Sequence, residues 1–164
     1  KWEDLLSVLK REMAFYLKIP FDTFDLNRYL KSPSPEHTKY LIHALREYAD
    51  VLYHKMDNIE MAIKIYHTLA IQNPDDDYIK NSLFEIADTH PGDKIYATIL
   101  SIYSIQGMSL SHFMELKQSI ENHDSNEEIA SNLKRFKDQL DARKLSYFQP
   151  LIAFIQNHFN TSES

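Results

Sequence analysis

Eight histidines are the side chains of this chain best able to bind a metal or move a proton near neutral pH. Their spacing argues for neither. His37, His43, His54, His67, His90, His112, His123 and His158 fall in no HExxH, HxH or ExxH pattern, the arrangements that turn two ligands toward one ion. Two pairs stand four residues apart, His43 with Glu47 and Asp50 with His54. On a helix that spacing gives an ordinary side-chain pair far more readily than half of a metal site. Asp75-Asp76-Asp77 lacks the central glycine and terminal glutamate of a calcium loop and reads as helix-capping chemistry. The absence of cysteine removes disulfides, thiol nucleophiles, zinc ribbons and iron–sulfur ligation together. No glycine-rich phosphate loop, GxSxG elbow or kinase-like motif set occurs. The residues therefore point to no catalytic group, no metal and no cofactor, and to a binding protein sooner than an enzyme.

Lys and Arg number 18 against 24 Asp and Glu, a formal charge of −6 that opposes a phosphate backbone instead of neutralising it. The nearest approach to a basic patch, Lys134, Arg135, Lys137, Arg143 and Lys144, is interrupted by Asp138 and Asp141 and reads as a solvated helix face. No nucleic-acid partner is expected. No run of 18 apolar residues and no signal-peptide pattern is present, so no membrane insertion is expected, and the lack of cysteine favours a cytoplasmic location. The chain starts at Lys1 and ends in Asn160-Thr161-Ser162-Glu163-Ser164. It reads as a single helical domain over 1–159, a fragment of a longer protein, with 160–164 as a tail. The glycosylation-like triplet Asn160-Thr161-Ser162 reads as a chance match.

The elements that must position any functional side chain are helices. Two glycines and six prolines supply too little turn chemistry for a many-stranded fold. Trp2, Leu5, Leu6, Leu9, Met13, Tyr16 and Leu17 recur at helical spacing and predict a first helix ending before Pro20. Phe21 to Lys31 is irregular and fits a short helix or a packed loop. Ser34-Pro35-Glu36 gives a helix start, with Leu41, Ala44, Leu45, Tyr48 and Leu52 as its stripe to about Met56. Asp57-Asn58-Ile59-Glu60 resembles a capping box for the next helix, and Asp75 to Asp77 caps the one after. Asp93 and Ser109 open two further helices, with Gly107 suited to a left-handed stop between them. Ser125-Asn126-Glu127-Glu128 is a second capping box, and Pro150 marks a kink or a restart in the last stripe, Leu145 to Phe159. The expected fold is all-α, with seven or eight helices, sequence neighbours antiparallel, as a repeat-like array or an irregular bundle.

From His43 to Asp76 the chain resembles a tetratricopeptide repeat, a helix-turn-helix unit of interaction scaffolds. Tyr53, Ala62, Tyr66 and the ending Asn73-Pro74-Asp75-Asp76 carry the match. The resemblance implies that Ala62 lets two antiparallel helices approach closely while Tyr53 and Tyr66 fill the space beside them. Three positions depart from it: Arg46 stands where the family has an aromatic or large residue, Asp50 where it has a small one, and Asp57 where it has a turn glycine. No second copy is in register. The stacking so implied turns Glu47, Tyr48, Val51, His54 and Lys55 toward a groove able to hold a partner protein or peptide. The expected function is a protein–protein interaction module, with an accessory or regulatory helical domain of a larger enzyme, or of a small-GTPase regulator, as the alternative.

Overall fold

The computed structural model describes residues 1–33 and 39–159. The Ser34-Pro35-Glu36 start, His37 and the tail after Phe159 lie outside the described residues. Within them the chain forms nine α-helices and one 3-10 turn and no strand. The segment left open above, Phe21 to Lys31, supplies the 3-10 turn Phe21–Thr23 and a short helix, which carries the count past eight. The helices gather into two compact units, Lys1–Pro91 and Gly92–Ser164.

In the N-terminal unit, α1 (Trp2–Leu17) buries Leu6, Leu9, Met13 and Ala14. It ends where Lys18 turns left-handed at φ 59° and two backbone bonds, Lys18 N–H to Phe15 and Ile19 N–H to Ala14, close a Schellman stop. Asp25 caps α2 (Leu26–Lys31) by accepting from the Arg28 N–H at 3.3 Å. The remaining helices are α3 (Lys39–His54), α4 (Ile59–Gln72) and α5 (Asp77–Thr89). α3 packs on α1 and α4, and α4 packs on α2 and α5. The predicted stripe of α3 is buried, as are Ala62, Tyr66 and Tyr53 of the repeat-like stretch. The start of α4 differs by one residue from the expected capping box. Asn58 is the cap, accepting from the Met61 N–H at 3.3 Å, while Asp57 sits left-handed at φ 54° before it. Glu60 is thereby one residue short of the position from which a capping glutamate reaches back.

The C-terminal unit consists of α6 (Asp93–Gly107), α7 (Ser111–Glu121), α8 (Asn126–Arg143) and α9 (Gln149–His158). Ser125 caps α8 through the Glu128 N–H at 3.2 Å, as its sequence predicts. Pro150 occupies the first turn of α9, so the last stripe restarts there and is not kinked. The other two starts need correction. Gly92 holds the cap position of α6 with Asp93 already helical, and Leu110 holds that of α7, so neither Asp93 nor Ser109 caps. The core is aromatic: Phe113, Phe136 and Phe148 meet pairwise with ring centroids 5.3–5.8 Å apart, and Tyr103 lies 5.8 Å from Phe148. Phe136 meets both Phe113 and Phe148 edge-on, and such pairs each add about 0.5–1.5 kcal/mol beyond their burial.

Gly107 is not a left-handed stop. It is the last helical residue of α6, and no described glycine adopts the left-handed conformation. The residue must be glycine for space: a Cβ there would lie 2.6–2.9 Å from three atoms of the fully buried Phe113 ring. Helix propensity alone would make Gly107→Ala stabilising by about 1 kcal/mol, whereas overpacking a filled core costs about 1–3 kcal/mol. The clash should win, because Phe113 is held between Phe136 and Phe148 and cannot retreat. Thermal denaturation should therefore show Gly107→Ala melting below the wild type, with the loss reduced in a Phe113→Leu background. A Gly107→Ala protein that melts higher would show that the ring is not fixed against this glycine.

Candidate functional site

Helix α3 presents two faces of different chemistry. Leu41, Leu45, Tyr48 and Leu52 form its core stripe. Residues 47, 50, 51, 54 and 55 recur at three and four and share another face. Glu47, Val51, His54 and Lys55 do come together there, lining a shallow depression of about 450 Å³ with Asp50 and with Trp2 of α1. Tyr48, the fifth residue assigned to the groove, does not line it. It is only 5% exposed because it belongs to the core stripe, and its ring lies under the Lys10 ammonium at 5.9 Å.

Trp2 is the residue that sequence spacing placed on a core stripe without anticipating its second role. It is half-buried, and the ammonium groups of Lys1 and Lys55 lie 5.2 and 5.4 Å from its ring. Cations over an indole face are attracted by its quadrupole. The depression thus combines the apolar surface of Trp2 and Val51 with groups of both signs, Lys55 and the carboxylates of Glu47 and Asp50. Glu47 is 3.7 Å from His43, an exposed pair worth little to stability.

Asp50 has a structural task as well. Its two carboxylate oxygens accept from Tyr66 Oη of α4 at 2.5 Å and from Tyr78 Oη of α5 at 2.7 Å. The Arg46 guanidinium covers the Tyr78 ring at 4.7 Å. One turn further along α3, Tyr53 Oη donates to Glu85 at 3.3 Å and meets Thr89 Oγ1 at 3.2 Å. Burial, and then the bond to Asp50, raises the pKa of Tyr66 well above the usual phenol range. For Tyr78 the bond to Asp50 is the larger cause and burial the second. Desolvation lowers the pKa of His67 on α4. Among the described residues no three His, Asp or Glu side chains gather closely enough to hold a metal ion.

These shifts give a test of the arrangement at high pH. A phenol whose pKa is raised by folding keeps its proton in the native state after the unfolded chain has released it. Its contribution is whole below the ordinary value of 10.0 and is lost as the pH climbs through the folded value. Denaturant titrations should show stability falling above pH 10, and a Tyr66→Phe/Tyr78→Phe protein should start less stable but fall less steeply. Parallel curves for the two proteins would mean that Asp50 does not hold these hydroxyls.

Comparison of the chain with protein-family models, with curated proteins and with solved structures finds no match. What the depression can do rests on its own geometry.

Proposed function

We propose that the N-terminal unit is a protein-interaction module that receives a segment of a partner protein on the α1–α3 face. The observation that carries this reading is the joining of Glu47, Val51, His54 and Lys55 with a half-buried tryptophan in one open depression. A tryptophan at the centre of a shallow surface is the commonest kind of binding anchor, since it offers a large rigid apolar area at little entropic cost. The mixed charge around it gives a partner orientation: acidic groups face Lys55, basic groups face Glu47.

Further support comes from the repeat-like hairpin. α3, α4 and α5 pack in succession, with Ala62, Tyr53 and Tyr66 buried as the tetratricopeptide resemblance implies. In that arrangement the first helix of each pair turns one face toward the ligand groove, and α3 is such a helix. The segments suited to the depression are short and carry one large apolar side chain between charged neighbours.

The test is site-specific photo-crosslinking in the cell of origin. A photoreactive side chain at position 54 or 55 should capture one defined partner, and one at Lys64, exposed on α4, should not. Glu47→Ala and His54→Ala should change stability by no more than about 0.5 kcal/mol, as exposed substitutions do. Trp2→Ala should weaken the captured complex by about 2 kcal/mol, the weight of an aromatic anchor. Equal capture from positions 54 and 64, or full affinity after Trp2→Ala, would remove this face from the function.

A further inference from the structure

The C-terminal unit holds a second concavity, of about 440 Å³, lined only by residues of that unit. Leu100, Ile120 and Ile129, all buried, form its floor, and the rings of Tyr96 and Phe159 stand at its side. Its rim is acidic, with Asp93, Glu121 and Asp124 against the single base His123. Among the described residues each carboxylate has one partner. Asp93 Oδ2 is 3.0 Å from His123 Nε2, Glu121 Oε1 is 2.7 Å from Lys117 Nζ, and Asp124 Oδ2 accepts from Ser119 Oγ at 2.8 Å. The second oxygen of each is left to solvent or to a ligand.

The charge at this mouth has a definite sign. The N-termini of α6 and α8 open beside it, through Asp93 and Asn126, and each brings about half a positive charge. The C-terminus of α7 brings about half a negative one through the turn at His123. Those partial charges cannot offset three carboxylates, and neither does Lys117 alone. An apolar hollow under a net negative rim selects a group that is apolar along its length and cationic at its end. Among protein side chains arginine fits best: its stem packs on aliphatic walls, its guanidinium lies flat on tyrosine or phenylalanine rings, and its fork of five donors reaches separate carboxylate oxygens.

We infer that this hollow is a docking site for an arginine-bearing segment of a partner protein, flanked by aliphatic residues. The arginine enters between the rings and the rim, and its neighbours cover Leu100 and Ile129. Asn160 to Ser164 are the wrong occupant by charge, since they carry one glutamate and no cation. This site is separate from the depression on α3 and does not depend on it.

The test is a chemical-shift titration of the full chain labelled with nitrogen-15. The probe is the pentapeptide acetyl-Ala-Leu-Arg-Leu-Ala-amide. The same peptide with norleucine or with glutamate at the centre, acetyl-Asn-Thr-Ser-Glu-Ser, and N-acetylarginine amide are run beside it. The arginine pentapeptide should shift amides at Asp93, Tyr96, Glu121, His123 and Asn126, and bind more tightly than all four comparators. Asp93→Asn and Glu121→Gln should each loosen it about two- to fivefold, the weight of an exposed ion pair. Asp124 is kept because it holds the buried Ser119. Binding should also weaken as salt is raised to 1 M, where screening falls to about 3 Å. Equal binding of the norleucine peptide would show an apolar hollow with no cation preference. Equal binding of N-acetylarginine amide would make it a small-molecule site. Tighter binding of the serine-rich peptide would assign the hollow to residues 160–164 of the chain itself. No shifts at these residues would remove the site, and any of these four results overturns the proposal.

Discussion

Asp50 holds a half-buried carboxylate on α3 against α4 and α5, and the N-terminal unit is arranged around that fact. A charge half-withdrawn from water must be hydrogen-bonded, because leaving it without partners costs several kcal/mol. Tyr66 from α4 and Tyr78 from α5 supply those bonds, so one residue of α3 fixes the position of two other helices. Arg46 over the Tyr78 ring and Tyr53 on Glu85 and Thr89 extend the contact along α3. The depression beside Trp2 depends on it, since Asp50 lines that surface and its neighbours one turn away, Glu47 and His54, are offered outward.

The C-terminal unit is held by a different constraint. There the packing is apolar, and the close approach of Phe113 to the last turn of α6 leaves no room for a methyl group at position 107. No described helix is long and apolar enough to cross a membrane, which agrees with amphipathic helices whose buried faces are spent on these two cores.

Most of the helical reading was available from residue spacing, and the failures have physical causes. Stripes such as Leu41, Leu45, Tyr48 and Leu52 repeat at three and four and can bury only one face, so the helices and their cores were legible. Caps were legible where the side chain itself accepts the bond, as at Ser125, and misplaced by a residue where several acceptors crowd together, as at Asp57-Asn58. Gly107 was misread because a glycine's reason can be steric or conformational, and only the folded neighbour Phe113 distinguishes them. For the site, the repeat resemblance supplied Glu47, Val51, His54 and Lys55, which line one depression, and Tyr48, which the core stripe buries instead. It could not find Trp2 as their neighbour, since no local rule says that the start of α1 lies beside α3. Nor could it see that Arg46, Asp50 and Asp57, the departures from the repeat pattern, are used: two tie α3 to its neighbours, and Asp57 takes the left-handed turn that glycine usually provides.

The claim that one carboxylate organises the N-terminal unit is tested most directly by double-mutant cycles read in chemical denaturation. Asp50→Ala is combined in turn with Tyr66→Phe and with Tyr78→Phe. If the carboxylate holds both hydroxyls, each pair should show a coupling of about 0.5–3 kcal/mol, the range for residues in direct contact. The Tyr66 cycle should give the larger value because that ring is fully buried. Additivity within about 0.3–0.5 kcal/mol in both cycles, the behaviour of independent sites, would contradict the account.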